Sequence, residues 1–316
     1  MKIDISIITP AYNPGELLLE TYDSLAKQTF QNFEWIIVDD NSDNDNKKLI
    51  QGIEKIASFP VRIMRNEINL RQAKSKNIGL NVAEGKYIKF LDADDLLDKK
   101  HLENQYYLIE SKNSKNIAVF SLTINFVGSI ENSSINDSYK SVPLDNIRQL
   151  ERFLVYPFFH HCGVLFRKDA VEHINGFDEN LLTDEDGDFI LRLMLNGVLF
   201  FPEERSAYYY RKHDFNVRVS ANDSDEKWLA RMKVCLKIEK KLNGKYAQLK
   251  EPLAQRLDVI GLSCLDYSED LSQEFFMNAE RIYPNYAIPG NMLPKIIRTL
   301  FGNKGYYRIK KLLGKR

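Results

Sequence analysis

Residues 87–95 read YIKFLDADD, an apolar and aromatic run that ends in three carboxylates, Asp92, Asp94 and Asp95, within four positions. A strand end meets solvent, and a single aspartate there can serve as a helix cap. Three together repel one another and lose hydration inside a crevice, so a compensating cation is the expected partner. Asp92-Ala93-Asp94 is the arrangement by which one or two carboxylates hold Mg²⁺ or Mn²⁺ against a diphosphate. No G-x-G-x-x-G and no P-loop lysine motif occurs anywhere in the chain, so a bound diphosphate has its charge met by a cation rather than by a glycine cradle.

The elements that must carry these carboxylates follow from the apolar spacing. ISIITPAYN, FEWIIVDD, VRIMRN and YIKFLDADD are apolar and β-branched runs. Helix-length segments at about 16–28, 46–57 and 73–82 separate them, which predicts βαβ units around a parallel sheet. Ligands of such sheets bind outside the carboxyl ends of the strands, so Asn13, Asp39 with Asp40, and Asp92 with Asp94 are expected to converge on one crevice. In the middle third, IAVFSLTINF predicts a strand, the polar stretch 129–141 a loop, and Asn175-Gly176 a turn. DEDGDFILRLMLNG has apolar residues at Phe189, Ile190, Leu193 and Met194, the stripe of a helix behind an acidic start. FFPEERSAYYYRKH returns as a strand, and from about Ser224 to Ile282 the pattern is helical.

Lys plus Arg number 44 and Asp plus Glu 44 in 316 residues, so no global field points to nucleic acid. Cys162, Cys235 and Cys264 are odd in number, widely spaced and without a Cys-x-x-Cys pair, which suits a reducing compartment. The start, MKIDISIITP, lacks a signal peptide's apolar core, and no run approaches the ~20 apolar residues that span a bilayer; a cytoplasmic protein, soluble or peripheral, is expected. The last 22 residues, 295–316, carry eight Lys or Arg and no acid, interleaved with apolar residues. That tail is either a solvated helix end or, the favoured reading, a contact with an anionic leaflet at the inner face of the plasma membrane.

Six segments in order, ITPAYN, VDDNS, NLRQAKSKNIGLNVAEGKYIKFLDADD, INGFDENL, TDEDGDFILRL and YYRKHDFNVRVS, make the chain resemble a glycosyltransferase of family 2 over roughly residues 3–220. The resemblance implies an α/β fold of the GT-A type: a Rossmann-like, mostly parallel central sheet flanked by helices, with a C-terminal helical extension. It divides the chain into a nucleotide-sugar half at 1–105, an acceptor half at 106–222, and a helical region with its basic tail at 223–316. It also implies an inverting, metal-assisted transfer from a UDP-sugar to a glycan or lipid-linked saccharide acceptor. Pro10, Ala11 and Tyr12, with Asn13, would line the nucleobase site. Asp39, beside Asp40, would accept the uracil N3 proton. Asp92 would approach the ribose, Asp94 would bind Mn²⁺ or Mg²⁺, and His213 would lie beside the metal or diphosphate. Ala93, Lys76 and Arg211 complete the implied donor site, and Asp186 would be the general base.

The chain departs from the family pattern at Lys76, where arginine is common, and at Gly187, where an aromatic residue often follows the Glu-Asp pair. For single residues the bland readings are a strand-end cap for Asp39, caps or solvated positions for Asp184 and Asp188, and structural roles for His160 and His161. Two other functions compete. A sugar-phosphate nucleotidylyltransferase would want a basic, glycine-rich loop after the first strand, and TPAYNPGE has no Lys or Arg. A non-catalytic nucleotide-sugar or glycan-binding module would keep the metal site with a silent base.

Overall fold

The computed structural model describes residues 2–112, 114–135, 142, 145–213 and 223–288, with scattered positions from 296 to 309. The chain forms two compact units, one of Met1–Gln149, Pro157–Leu181 and Glu185–Ala221, the other of Leu150–Tyr156, Leu182–Asp184 and Asn222–Arg316.

The first unit is built on one nine-stranded sheet. Strands β1 (Ile5–Ala11) and β2 (Phe33–Asp39) are buried at every position, as near-continuous apolar strands covered on both faces must be. Helix α1 (Leu17–Ala26) joins them, and α2 (Asn44–Ile56), capped by the Asp43 carboxylate accepting from Asn46 N, leads to β3 (Val61–Arg65). Helix α3 (Arg71–Val82) leads to β4 (Tyr87–Phe90). β2 pairs with β3, and β1 with both β2 and β4, all parallel, with Ala11 opposite Asp39 and Ile8 opposite Phe90. The residues that follow each strand therefore emerge along one edge.

Gly79 sets how closely α3 approaches that sheet. A Cβ there would lie 2.4 Å from Ile8 Cγ2 and 3.3 Å from Val38 Cγ2, so a larger residue would push the helix, and Lys76 with it, off the strands.

Beyond β4 the sheet changes character. After β5 (Leu96–Leu97), α4 (His101–Ser111), β6 (Ile117–Val127), β7 (Ser129–Ile135) and α5 (Asn146–Val155) come β8 (Val164–Arg167), α6 (Lys168–His173), α7 (Glu185–Leu195) and β9 (Leu199–Arg211). The strand order is β3-β2-β1-β4-β8-β6-β9-β5, with β7 on β6. β8 is antiparallel to β4 and β6, β5 is antiparallel to β9, and β9 is parallel to β6. The sheet is thus mixed where a mostly parallel one was expected: the βαβ rhythm governs only the first four strands. The stretch expected as a loop at 129–141 is corrected over 129–135, which pairs with β6 as β7 through a turn at Gly128, φ +67°. SIENSSI reads as a loop by composition, yet a hairpin strand needs only register with its neighbour and not an apolar face. Residues 136–141 lie outside the described residues.

The second unit carries α8 (Asp225–Glu239), α9 (Lys250–Cys264) and α10 (Glu269–Ile282). Ser224 and Ser268 cap α8 and α10 by accepting from Lys227 N and Leu271 N. Among the described residues no helix is long and apolar enough to cross a membrane. The basic tail expected at the leaflet lies largely outside the described residues. One of its cations, Arg298, is buried and paired with Asp258, whose carboxylate also accepts from Tyr286 Oη at 2.5 Å. That guanidinium is committed to the protein and is removed from the set expected to meet lipid.

Candidate active site

The three carboxylates that end YIKFLDADD have three different environments. Asp95 is buried and accepts from the Tyr208 hydroxyl and from Arg211 N, at 2.8 Å, both on β9. Thr21 Oγ1 on α1 donates to the carbonyls of Ala93, at 3.1 Å, and Asp95, at 3.0 Å. Burial, with Asp92 and Asp94 nearby, pushes the Asp95 acid well above the ordinary range. Asp95 is a brace that holds the loop to β9.

Asp94 is 31% exposed, and its Oδ2 lies 2.5 Å from His213 Nε2. Arg211 packs behind it: Nε donates to Asp94 O at 2.8 Å, Nη2 pairs with Glu20 at 2.6 Å, and the guanidinium lies 4.5 Å from the Phe126 ring centroid. The Arg211 side chain, expected at the donor, thus orients the Asp94 backbone.

Asp92 has a buried oxygen, Oδ1, with no hydrogen-bond partner among the described residues. Burial raises its acid to about 6; Lys76 opposes that rise, while Asp94 and Asp186 add to it. Carboxylates are the ligands that Mg²⁺ and Mn²⁺ take, and Asp94, paired with the His213 imidazole, and the orphaned Asp92 oxygen two residues earlier offer donors of that kind. The residues present fit the cation expected from the sequence. Asp92 and Asp95 also approach Cys162, their ligand atoms all within 4.8 Å. Burial drives that thiol's pKa well up and so keeps it protonated, and both Asp95 oxygens are occupied.

The orphan has a consequence for stability. The folded state raises the Asp92 pKa above its ordinary value of 3.8. Folding therefore binds protons through it, and stability falls as pH rises from about 4 to 6 and stays lower above. Asp92→Asn is expected to raise the melting temperature of metal-free protein at pH 7.5, by a stability gain on the order of 1–3 kcal/mol, with a smaller gain at pH 5. The same variant should lose the further rise that Mn²⁺ with UDP gives the native protein. Thermal melts at the two pH values, with and without Mn²⁺ and UDP, check both effects.

Along the same edge, Pro10 and Ala11 end β1 and Tyr12 follows them 56% exposed, its ring open to a planar partner. Asn13 takes φ +47°; its N donates to Ser42 Oγ at 3.0 Å and its Oδ1 accepts from Asp43 N at 2.9 Å. Asp39 is buried, accepting from Ser42 N at 2.8 Å and pairing with Arg65. It is not the cap of α2, a role Asp43 fills. Asp40 is also buried and accepts from Asn66 Nδ2, Leu70 N and Arg71 N at 2.7–2.8 Å, which anchors the start of α3.

Opposite stands Asp186, in the first turn of α7, where the helix dipole favours a carboxylate. Lys76, reaching from α3 with a side chain 0% exposed, lies 2.9 Å from Asp186 Oδ1. His161, in a single 3-10 turn at His161–Gly163 ahead of β8, places Nδ1 3.3 Å from Asp186 Oδ2 and Nε2 3.0 Å from Lys76 Nζ. Burial alone would lower the Lys76 pKa, but Asp186, Asp92 and Glu185 outweigh it and the net shift is upward. Burial alone would raise the Asp186 acid, but His161 and Lys76 together hold it well below the carboxylate range. Of those two the ammonium carries the effect, because burial pushes the His161 pKa well down and leaves the ring neutral. His160 Nδ1 accepts from Cys162 N at 3.3 Å, and its ring stacks on Tyr208.

Asp188 is neither a cap nor solvated, as had been expected. It is buried and pairs with Arg192 at 2.6 Å, one turn further along α7. The donor-side expectation for Lys76 meets a side chain buried against Asp186, and His161 had been given no role at that carboxylate. Its only sequence signal was the unusual His160-His161 pair.

This sheet, with its carboxylate edge and a second acidic centre at a helix start, is the GT-A arrangement. Residues 6–174 match the model of glycosyl transferase family 2, and the chain belongs to that family. It is a glycosyltransferase. It is 29% identical over 202 residues to the amylovoran biosynthesis glycosyltransferase AmsB of Erwinia amylovora, covering 63% of this chain and 66% of that one. It is 28% identical over 217 residues to the poly(ribitol-phosphate) β-N-acetylglucosaminyltransferase TarS of Staphylococcus aureus, covering 65% of this chain and 35% of TarS. The matches thus span from about a third to about two thirds of these relatives' lengths. The fold is similar to that of S. aureus TarS 1–349 in complex with UDP-GlcNAc, with a TM-score of 0.72 at 21% identity over 98% of this chain and 91% of that one. It is also similar to GalNAc-T7 with UDP, GalNAc and Mn²⁺, with a TM-score of 0.61 at 17% identity over 92% of this chain and 59% of that one.

Proposed function

We propose that the protein transfers a sugar from a UDP-sugar to a hydroxyl of a glycan or lipid-linked saccharide, with inversion, in surface-polysaccharide assembly at the cytoplasmic face of a membrane. The observation that carries the reading is the pairing of two acidic centres of opposite character. One is an under-compensated carboxylate pair, Asp92 and Asp94 with His213; the other is an ionised carboxylate, Asp186, reached through Lys76.

Asp94 and His213, with Asp92, would hold the divalent cation, which supplies Lewis-acid stabilisation of the leaving diphosphate. Tyr12 offers its exposed ring to the nucleobase, and Asp39 a carboxylate to the uracil imide. Asp186 stays ionised and accepts the proton of the incoming hydroxyl as its oxygen attacks the anomeric carbon. With one base and no enzyme nucleophile, a single displacement inverts that centre. Residues 1–105 would carry the donor and 106–222 the acceptor. The name of TarS, a poly(ribitol-phosphate) β-N-acetylglucosaminyltransferase, supports a polymeric acceptor and an N-acetylhexosamine donor, and that of AmsB a role in amylovoran-type biosynthesis.

The test is UDP release from a panel of UDP-sugars, UDP-GlcNAc first, with Mn²⁺ or Mg²⁺ and a panel of saccharide acceptors. Acceptor-dependent UDP release is expected. Pyrophosphate release from UTP and a sugar 1-phosphate would instead identify a nucleotidylyltransferase, and UDP-sugar binding without turnover a binding module.

A further inference from the structure

Lys76 Nζ has three polar acceptors around it: Asp186 Oδ1 at 2.9 Å, His161 Nε2 at 3.0 Å and Gln72 Oε1 at 3.4 Å, with the Phe177 ring centroid at 4.9 Å. An ammonium has three protons and no lone pair, so this set uses all three. With its side chain fully buried, nothing is left to reach a phosphate. The same chemistry settles the imidazole. Nε2 faces a group that can only donate, so Nε2 is the acceptor and the ring proton sits on Nδ1, 3.3 Å from Asp186 Oδ2. Lys76 Nζ thus donates to Asp186 Oδ1, and the His161 imidazole lies against both groups with Nδ1 3.3 Å from Oδ2, so an ammonium and an imidazole flank the carboxylate from the protein side.

We propose that Lys76 and His161 are positioning residues for the general base, holding the Asp186 carboxylate in one orientation from the protein side and leaving its outward lone pairs to the acceptor hydroxyl. The proposal rests on the reading of Asp186 as base. Each carboxylate oxygen offers about two acceptor positions, so with Lys76 on Oδ1 both oxygens keep a position for the acceptor. Asp186 is 35% exposed, which is where an acceptor can reach it. Both residues come from well-anchored parts of the first unit. α3 is held onto β1 by the close approach at Gly79, and His161 is itself buried, 4% exposed, in a turn whose His160 cap accepts from Cys162 N.

During turnover the acceptor O–H proton passes to Asp186 and the acceptor oxygen bonds to the anomeric carbon. The bond from that carbon to the β-phosphate oxygen breaks, its electron pair leaving with UDP. A protonated Asp186 beside an ammonium is a strong acid, so it gives its proton to solvent and the ion pair re-forms for the next cycle. A base held this way is weak, which suits a step in which the hydroxyl becomes acidic only as its new bond forms.

The experiment uses the full-length chain, UDP with Mn²⁺ as the binding probe, and UDP release from the donor and acceptor pair selected above. Lys76→Met keeps the length of the buried stem. It is expected to lower kcat roughly 10–10²-fold, the scale of a misplaced catalytic group, while the Kd for UDP with Mn²⁺ stays within about twofold. Lys76→Arg should restore much of the loss. His161→Asn, which retains an N–H near the Nδ1 position, should keep most of kcat, whereas His161→Phe should lose it as Lys76→Met does. These two report on the imidazole's contact with Asp186 even if Lys76→Met fails to fold. Weakened UDP binding with kcat unchanged in Lys76→Met would make Lys76 a donor residue and overturn the proposal. If Asp186→Asn abolishes transfer while Lys76→Met and His161→Phe do not, the positioning role alone fails. If Asp186→Asn retains transfer, the base assignment itself fails.

Discussion

Replacing Asp186 with asparagine is expected to reduce transfer by roughly 10²–10⁴-fold while UDP and Mn²⁺ still bind. The amide occupies nearly the same volume, so the acceptor pocket keeps its shape and loses only the group that takes the proton. The donor-side contacts are untouched, because Asp39, Asp94 and His213 hold their partners without Asp186. One side effect follows from Lys76. Its ammonium is fully buried and loses its nearest counter-charge, and breaking such a pair by removing one partner can cost about 3–5 kcal/mol, reduced here because Asp186 is partly solvated. A lower melting temperature should therefore accompany the lost turnover. Steady-state transfer, UDP titration and a melt on the same preparation separate the effects. Parallel loss of donor affinity and transfer would mean that Asp186 acts through the fold.

Asp94→Ala is expected to abolish Mn²⁺-dependent binding of UDP-sugars, and with it turnover by ~10³-fold or more, the several kcal/mol that a Lewis acid contributes to a charged leaving group. The fold should survive. Asp94 is partly exposed, and among the described residues its side chain pairs with His213. The loop is held by Asp95 on Tyr208 and Arg211 and by Thr21 on the backbone, none of which the substitution touches. Calorimetric titration of UDP with and without Mn²⁺ reads the effect directly: native affinity rises with the metal, and that of the variant should not. Undiminished metal-dependent turnover in Asp94→Ala would assign the cation to other ligands. With Asp92→Asn the pair makes a sharper test, since one variant removes a charge with an unpartnered buried oxygen and should stabilise the metal-free chain, whereas the other removes a partly solvated one and should not.

Sequence alone determined the first four strands, the edge on which their carboxylates emerge, and α7 behind its acidic start. Those features are local: an unbroken apolar run, a helical stripe and the polar residues at a strand's end follow from a strand covered on both faces and a helix covered on one. It also placed Asp92, Asp94, His213 and Asp186 in one enzyme, through the order of six motifs. The partners of each charge were decided by tertiary structure. That Asp95 braces β9, that Arg211 meets Glu20 and the Asp94 carbonyl, and that Lys76 faces Asp186 are contacts between segments far apart in the chain. They depend on β8 and β6 lying between β4 and β9, an order that hydrophobic periodicity does not encode. Composition also misled at two polar stretches. SIENSSI is polar yet pairs as a strand, and Asp188 is charged yet buried on Arg192. The first is a strand through backbone pairing with β6 while its described side chains stay exposed, and in the second a guanidinium brought by the fold replaces the water that a buried carboxylate would otherwise require.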